Sequence, residues 1–121
     1  MKKALLIIAH GSRNALANDE VRQMTADVAR RVGDKFAICE PAFLELAEPD
    51  IPGGVARCAM QGAGQIFVLP YFLNTGMHVS QDIPEIIEQC RAAQPGVSIE
   101  ILPHIGSIAE MPGFIVKLLP Q

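Results

Sequence analysis

The sequence predicts a three-layer α/β domain in which a four-stranded parallel sheet carries helices on both faces. Three observations lead there. Two short apolar runs, Ala4 to Ala9 and Gln65 to Pro70, read as strands covered on both sides. Stretches of helical periodicity alternate with such runs, the order expected of right-handed βαβ units. A chain of 121 residues that is 50% hydrophobic is long enough to bury one core, so residues 1–121 are expected to form a single domain.

Each element has its own signal. Ala4 to Ala9 ends at a Gly-Ser turn and forms the first strand. From Asn18 onward Val21, Met24, Val28 and Val32 recur at helical spacing until Gly33-Asp34 stops them. Phe36 to Phe43 is a weaker strand interrupted by Pro41, and Ile51 to Gln61 is a helix opened by Asp50 and Pro52 and softened by Gly53-Gly54. After the strand Gln65 to Pro70 a long loop leads to Asp82, which with Glu85 and Pro84 reads as a helix start. Ile83, Ile86, Ile87 and Cys90 make that helix's apolar stripe, which Gln94-Pro95-Gly96 ends. Val97 to Leu102 is an edge strand, and a short final helix starting at Ser107, Glu110 or Met111 carries Ile115, Val116, Leu118 and Leu119.

Composition excludes several partners. A net charge of −3 with 10 Lys+Arg gives no basic stripe for a phosphate backbone, so nucleic acid is not expected. The longest strongly apolar run falls far short of the roughly 20 residues of a membrane span. No membrane partner and a cytoplasmic location are therefore expected. Cys39, Cys58 and Cys90 are odd in number and lack Cys-x-x-Cys spacing, which suits reduced core thiols rather than disulfides or a thiolate metal site.

In an open parallel sheet the carboxyl ends of the strands form the crevice where ligands bind. His10 follows the first strand and His78 the loop after the third, so both belong to that rim, together with Glu45 and the Pro103-His104-Ile105-Gly106 turn. Neutral imidazole suits first-row divalent metals, and a carboxylate adds charge and can move protons. The plain alternative for each histidine is a bond to a loop carbonyl; His104 is read that way and left out of the site. Gly11 allows a sharp turn that presents Ser12 and Arg13 to an anionic ligand, or else the segment is merely a turn with a solvated arginine. Asn74-Thr75-Gly76 offers backbone N–H groups to a polar ligand. Phe72 and Leu73 are expected to pack beneath that loop, and Met77 is more open.

Three ordered segments resemble the single-domain CbiX-type sirohydrochlorin chelatases: Leu6-Ile7-Ile8-Ala9-His10-Gly11-Ser12-Arg13, Phe43-Leu44-Glu45-Leu46-Ala47-Glu48-Pro49, and Pro70 to Pro84 with Asn74-Thr75-Gly76-Met77-His78 at its centre. The resemblance implies a chelatase-like, flavodoxin-like fold and an ATP-independent lyase of tetrapyrrole biosynthesis. It would insert cobalt, or nickel or ferrous iron, into sirohydrochlorin for cobalamin, coenzyme F430 or siroheme, with no cofactor beyond the metal substrate. By the same resemblance His10 and His78 are the metal ligands, His10 is also the proton acceptor and Glu45 is the site carboxylate. The resemblance further implies that Ser12, Arg13, Glu45, Leu73, Asn74, Thr75, Gly76 and Met77 are the candidates to contact the macrocycle. Larger members contain two such domains facing each other, so a homodimer is implied. Sirohydrochlorin is a polycarboxylate and this chain is acidic, so local donors rather than long-range attraction must bind it.

Two rivals use the same residues. A metal or tetrapyrrole carrier would bind without accelerating insertion. A strand followed by His-Gly and a nearby Arg also resembles the histidine phosphatases, but Ala9 stands where their phosphate-clamping Arg would be.

Overall fold

The protein, described over all 121 residues by a computed structural model, runs β1 (Lys2–Ala9), α1 (Ala15–Val32), β2 (Ile38–Phe43), α2 (Ile51–Met60), β3 (Ala63–Pro70), α3 (Ile83–Ala93), β4 (Ser98–Ile101) and α4 (Met111–Lys117). All neighbouring strands pair in parallel in the order β2-β1-β3-β4. β1 therefore lies between β2 and β3, with Leu6 opposite Glu40 on one side and Val68 on the other.

Alternation along β1 divides its side chains between two layers. Ala4, Leu6 and Ile8 join Ile66 and Val68 of β3 in the main core, where Ile51, Val55 and Cys58 of α2 and Ile83, Ile87 and Cys90 of α3 close over them. Fully burying each of the Leu, Ile and Val side chains among these contributes about 1.5–3 kcal/mol. Gly54 lets α2 approach this face, because a Cβ there would lie 2.8 Å from that of Ala42 and 3.0 Å from Cδ1 of Leu6. The opposite face is covered at β2 by α1, whose Arg22 guanidinium stacks 5.0 Å above the buried Phe43 ring.

The elements agree with expectation to within about two residues at most ends, β1 and β3 starting earlier at Lys2 and Ala63 and β2 later at Ile38, and three features differ for physical reasons. α1 begins before Asn18, because the Asn14 side chain caps it by accepting the Leu16 N–H at 3.0 Å. Asn18 is instead buried within the helix. α3 does not start on an Asp82 cap: Asp82 has helical dihedrals and makes no capping bond, and one wide π turn, His78–Asp82, precedes the helix. Pro41 sits in β2, which is an edge strand and tolerates its missing donor.

α4 is the least integrated element. Phe114, Ile115 and Val116 on it, and Leu118 and Leu119 in the turn that follows, are all exposed. No helix is long and apolar enough to cross a membrane.

Candidate metal site at the crevice between β1 and β3

The chain leaves β1 toward β2 and leaves β3 toward β4, so the connections diverge between β1 and β3. This is the topological switch point at which open α/β sheets bind ligands. His10 immediately follows β1, and the segment from Tyr71 to His78 follows β3. The two strands stay joined to the rim, since the Tyr71 N–H donates to the Ile8 carbonyl at 2.8 Å.

The loops bring the two imidazoles together. The rings of His10 and His78 meet edge to face with centroids 4.7 Å apart and planes at 84°. Phe72 lies beneath, its ring centroid 6.4 Å from each. It packs against the core as expected, and so gives the pair an apolar floor. His78 is half-buried and does not bond a loop carbonyl: its Nδ1 lies 2.8 Å from Oδ2 of Asp82. Asp82 is the residue that reading the sequence missed, because Asp-x-x-Glu ahead of an apolar helix resembles ordinary capping chemistry. The signal that points to it is the spacing, four residues after a histidine on helical backbone.

Glu45 is drawn to the same rim through its backbone. The pairing of β1 with β2 continues past both strands, with Leu44 N–H donating to Ala9 at 2.9 Å and Glu45 N–H to His10 at 3.1 Å. This contact needs Gly11, which has φ +92° and whose Cβ would overlap the Glu45 carbonyl oxygen. Leu46 takes a left-handed φ of 64°, which turns the chain away beyond an exposed Glu45 side chain. No three His, Cys, Asp or Glu side chains cluster closely enough to hold a metal ion by themselves, so the imidazoles stand as a pair with the Glu45 carboxylate outside it.

Ser12 is clamped by a buried polar residue. Its N–H donates to Oδ1 of Asn18 at 2.9 Å, and the Asn18 amide donates back to the Ser12 carbonyl at 2.7 Å. The Ser12 hydroxyl accepts from the Asn14 N–H at 3.0 Å, and its own proton remains to be donated. Arg13 is exposed. Asn74, Thr75, Gly76 and Met77 line the rim in the open, and Leu73, expected to pack below the loop, is 68% exposed instead. The reason is that the turn after β4 occupies the space below, Gly106 donating to the Phe72 carbonyl at 3.0 Å. Tyr71, Leu73, Ile105 and Met111 then line an apolar hollow of about 340 Å³. His104 belongs to that turn, where its carbonyl accepts from Ser107.

A parallel sheet wound in both directions, with paired imidazoles at its switch point and an apolar hollow between the segments that follow β3 and β4, defines an α/β protein with a candidate ligand crevice at the ends of β1 and β3. Within that class the chain belongs to the CbiX family, whose model matches residues 4–121. It is 37% identical over 106 residues to the sirohydrochlorin ferrochelatase of Bacillus subtilis (strain 168), covering 88% of this chain and 40% of that protein. It is 35% identical over 85 residues to the sirohydrochlorin cobaltochelatase of Methanocaldococcus jannaschii, covering 70% of this chain and 58% of that one. The solved structure of SirB from Bacillus subtilis with Fe3+ superposes with a TM-score of 0.87 at 34% identity, over 97% of this chain and 46% of that one. The chain thus spans about half the length of these relatives.

Proposed function

We propose that this protein is a chelatase that inserts a divalent metal, cobalt foremost and ferrous iron or nickel by the same route, into sirohydrochlorin. The observation that carries the reading is the His10–His78 ring pair at the switch point, 4.7 Å between centroids. Family membership and relatives named for the same reaction support it.

In this reading His10 and His78 hold the metal substrate, and the remaining coordination positions are left for water and then for ring nitrogens. Two neutral ligands suit an ion that must be passed on, whereas a closed four-ligand site would retain it. Insertion exchanges the incoming M2+ for two pyrrole N–H protons, so charge balances when both protons leave. His10, exposed at the rim, accepts the two protons one after the other as the metal moves inward, and the exposed Glu45 carboxylate, tied to His10 through the backbone, passes each to water before the next is taken. The open loop Leu73 to Met77 and the hollow beside it receive the macrocycle face, while Ser12, Arg13 and the N–H groups near Thr75-Gly76 meet its carboxylates.

The unit that acts is one domain paired with a second copy. The uncovered side chains of α4 support a twofold partner, which would bury apolar surface that a lone domain leaves in water. Three unpaired cysteines fit a reducing cytoplasm.

The test follows the sirohydrochlorin absorption spectrum after adding Co2+, with the uncatalysed rate subtracted. Acceleration with turnover is expected; metal and tetrapyrrole binding without acceleration would make the protein a carrier instead.

A further inference from the structure

The side chain of Asp82 is held where it can act on His78 and on little else. Its backbone lies in a π turn that closes when the Ile83 N–H donates to the His78 carbonyl, a bond across five residues. Pro84 accounts for this turn: in a regular helix its ring would press on the Ser80 carbonyl, and it has no N–H to offer there. Ile83 and Ile87, both fully buried, fix the following helix to the core. The Asp82 carboxylate, freed from capping, meets Nδ1 of His78 at 2.8 Å. A carboxylate only accepts hydrogen bonds, so the proton of the neutral ring lies on Nδ1 and the lone pair on Nε2.

We propose that Asp82 is a positioning residue for metal insertion, which locks His78 in the tautomer and ring orientation that present the Nε2 lone pair to the metal beside His10. This rests on the chelatase reading and adds to it a carboxylate–histidine–metal relay. Such an outer partner also makes the imidazole a better donor, and its removal typically costs 10–100-fold in metal affinity or activity. π turns are frequent at functional sites, and here the wide turn joins the metal-facing residue to its support.

The experiment compares wild type with Asp82→Ala, Asp82→Asn and Asp82→Glu by two readouts. Nitrogen-15 NMR of the metal-free protein at mildly alkaline pH reports the His78 tautomer, and Co2+ titration reports affinity without turnover. Wild type should show a protonated Nδ1. Asp82→Ala should populate the other tautomer and lose about 10–100-fold in Co2+ affinity, with unfolding unchanged in midpoint. Asp82→Asn keeps an acceptor but not the charge and should fall between, while Asp82→Glu should recover part of the affinity. A wild-type His78 protonated at Nε2, or an Asp82→Ala variant with unaltered tautomer and Co2+ affinity, would overturn the proposal. A failed chelatase reading looks different: the tautomer and Co2+ affinity respond to Asp82 as expected, but wild type does not accelerate insertion.

Discussion

The imidazole of His10 meets that of His78 edge to face, 4.7 Å between centroids, although the two residues come from different strand ends. One metal ion shared between them makes their contributions inseparable. Residues that act as one unit are non-additive on mutation. Accordingly, Co2+ titration of His10→Ala, His78→Ala and the double variant should show each single change losing most of the affinity, with little further loss in the double. Additive losses would mean two independent sites. Because both rings sit on the rim, thermal unfolding should change little.

Gly11 is the hinge on which His10 and Glu45 depend. Gly11→Ala places a methyl carbon on the Glu45 carbonyl at a φ of +92°. The expected cost is about 1–3 kcal/mol, read as a lower urea midpoint, and insertion should slow with it. An unshifted midpoint would show that the two loops separate freely.

Asn18 tests how the Ser12 turn is held. Asn18→Leu leaves the Ser12 N–H and carbonyl without their buried partners and should destabilise by about 1–3 kcal/mol. Asn14→Ala, which removes an exposed cap, should cost about 1 kcal/mol. The reverse ranking would contradict a structural role for the buried amide.

The main outline of this geometry is legible in the residues. Apolar runs, Gly and Pro stops and helical spacing place every strand and helix, and the strand ends predict that His10 and His78 share a rim. The residues do not declare what depends on competition between local bonds. Asn18 reads as a helix start because the periodic apolar stripe begins only at Val21, yet Asn14 caps the helix and Asn18 turns inward to Ser12. Asp82 has the pattern of a cap, and only the π turn shows its carboxylate given to His78. Leu73 looks like core until the turn after β4 is seen to fill the space below it.

Cys58 gives a pH test. Burial first, then the carboxylate of Glu40 and the neighbouring Cys39, push its thiol up from 9.0 to about 12. The folded state thus keeps the proton that the unfolded chain releases above its ordinary thiol range. Stability from this group is complete below pH 9.0 and is lost as pH rises toward 12. Iodoacetamide at neutral pH should label the half-buried Cys39 before Cys58, with Cys58 reacting only after denaturation. Rapid labelling of Cys58 in the native protein would contradict its burial.

The apolar surface of α4 and of the turn after it leads to an expected mass. Light scattering should give a dimer for the wild type, and the pair Leu118→Asp and Leu119→Asp should shift it toward monomer with the fold intact, since both side chains are exposed in a single copy. A dimer indifferent to these changes would place the interface elsewhere.

The most direct measurement is the rate of cobalt insertion into sirohydrochlorin, followed spectrally, for wild type against His10→Ala and His78→Ala with background subtracted. Insertion by the wild type that falls to near background in both folded variants is the result expected of a paired-imidazole chelatase. Undiminished rates in both would remove His10 and His78 from the chemistry.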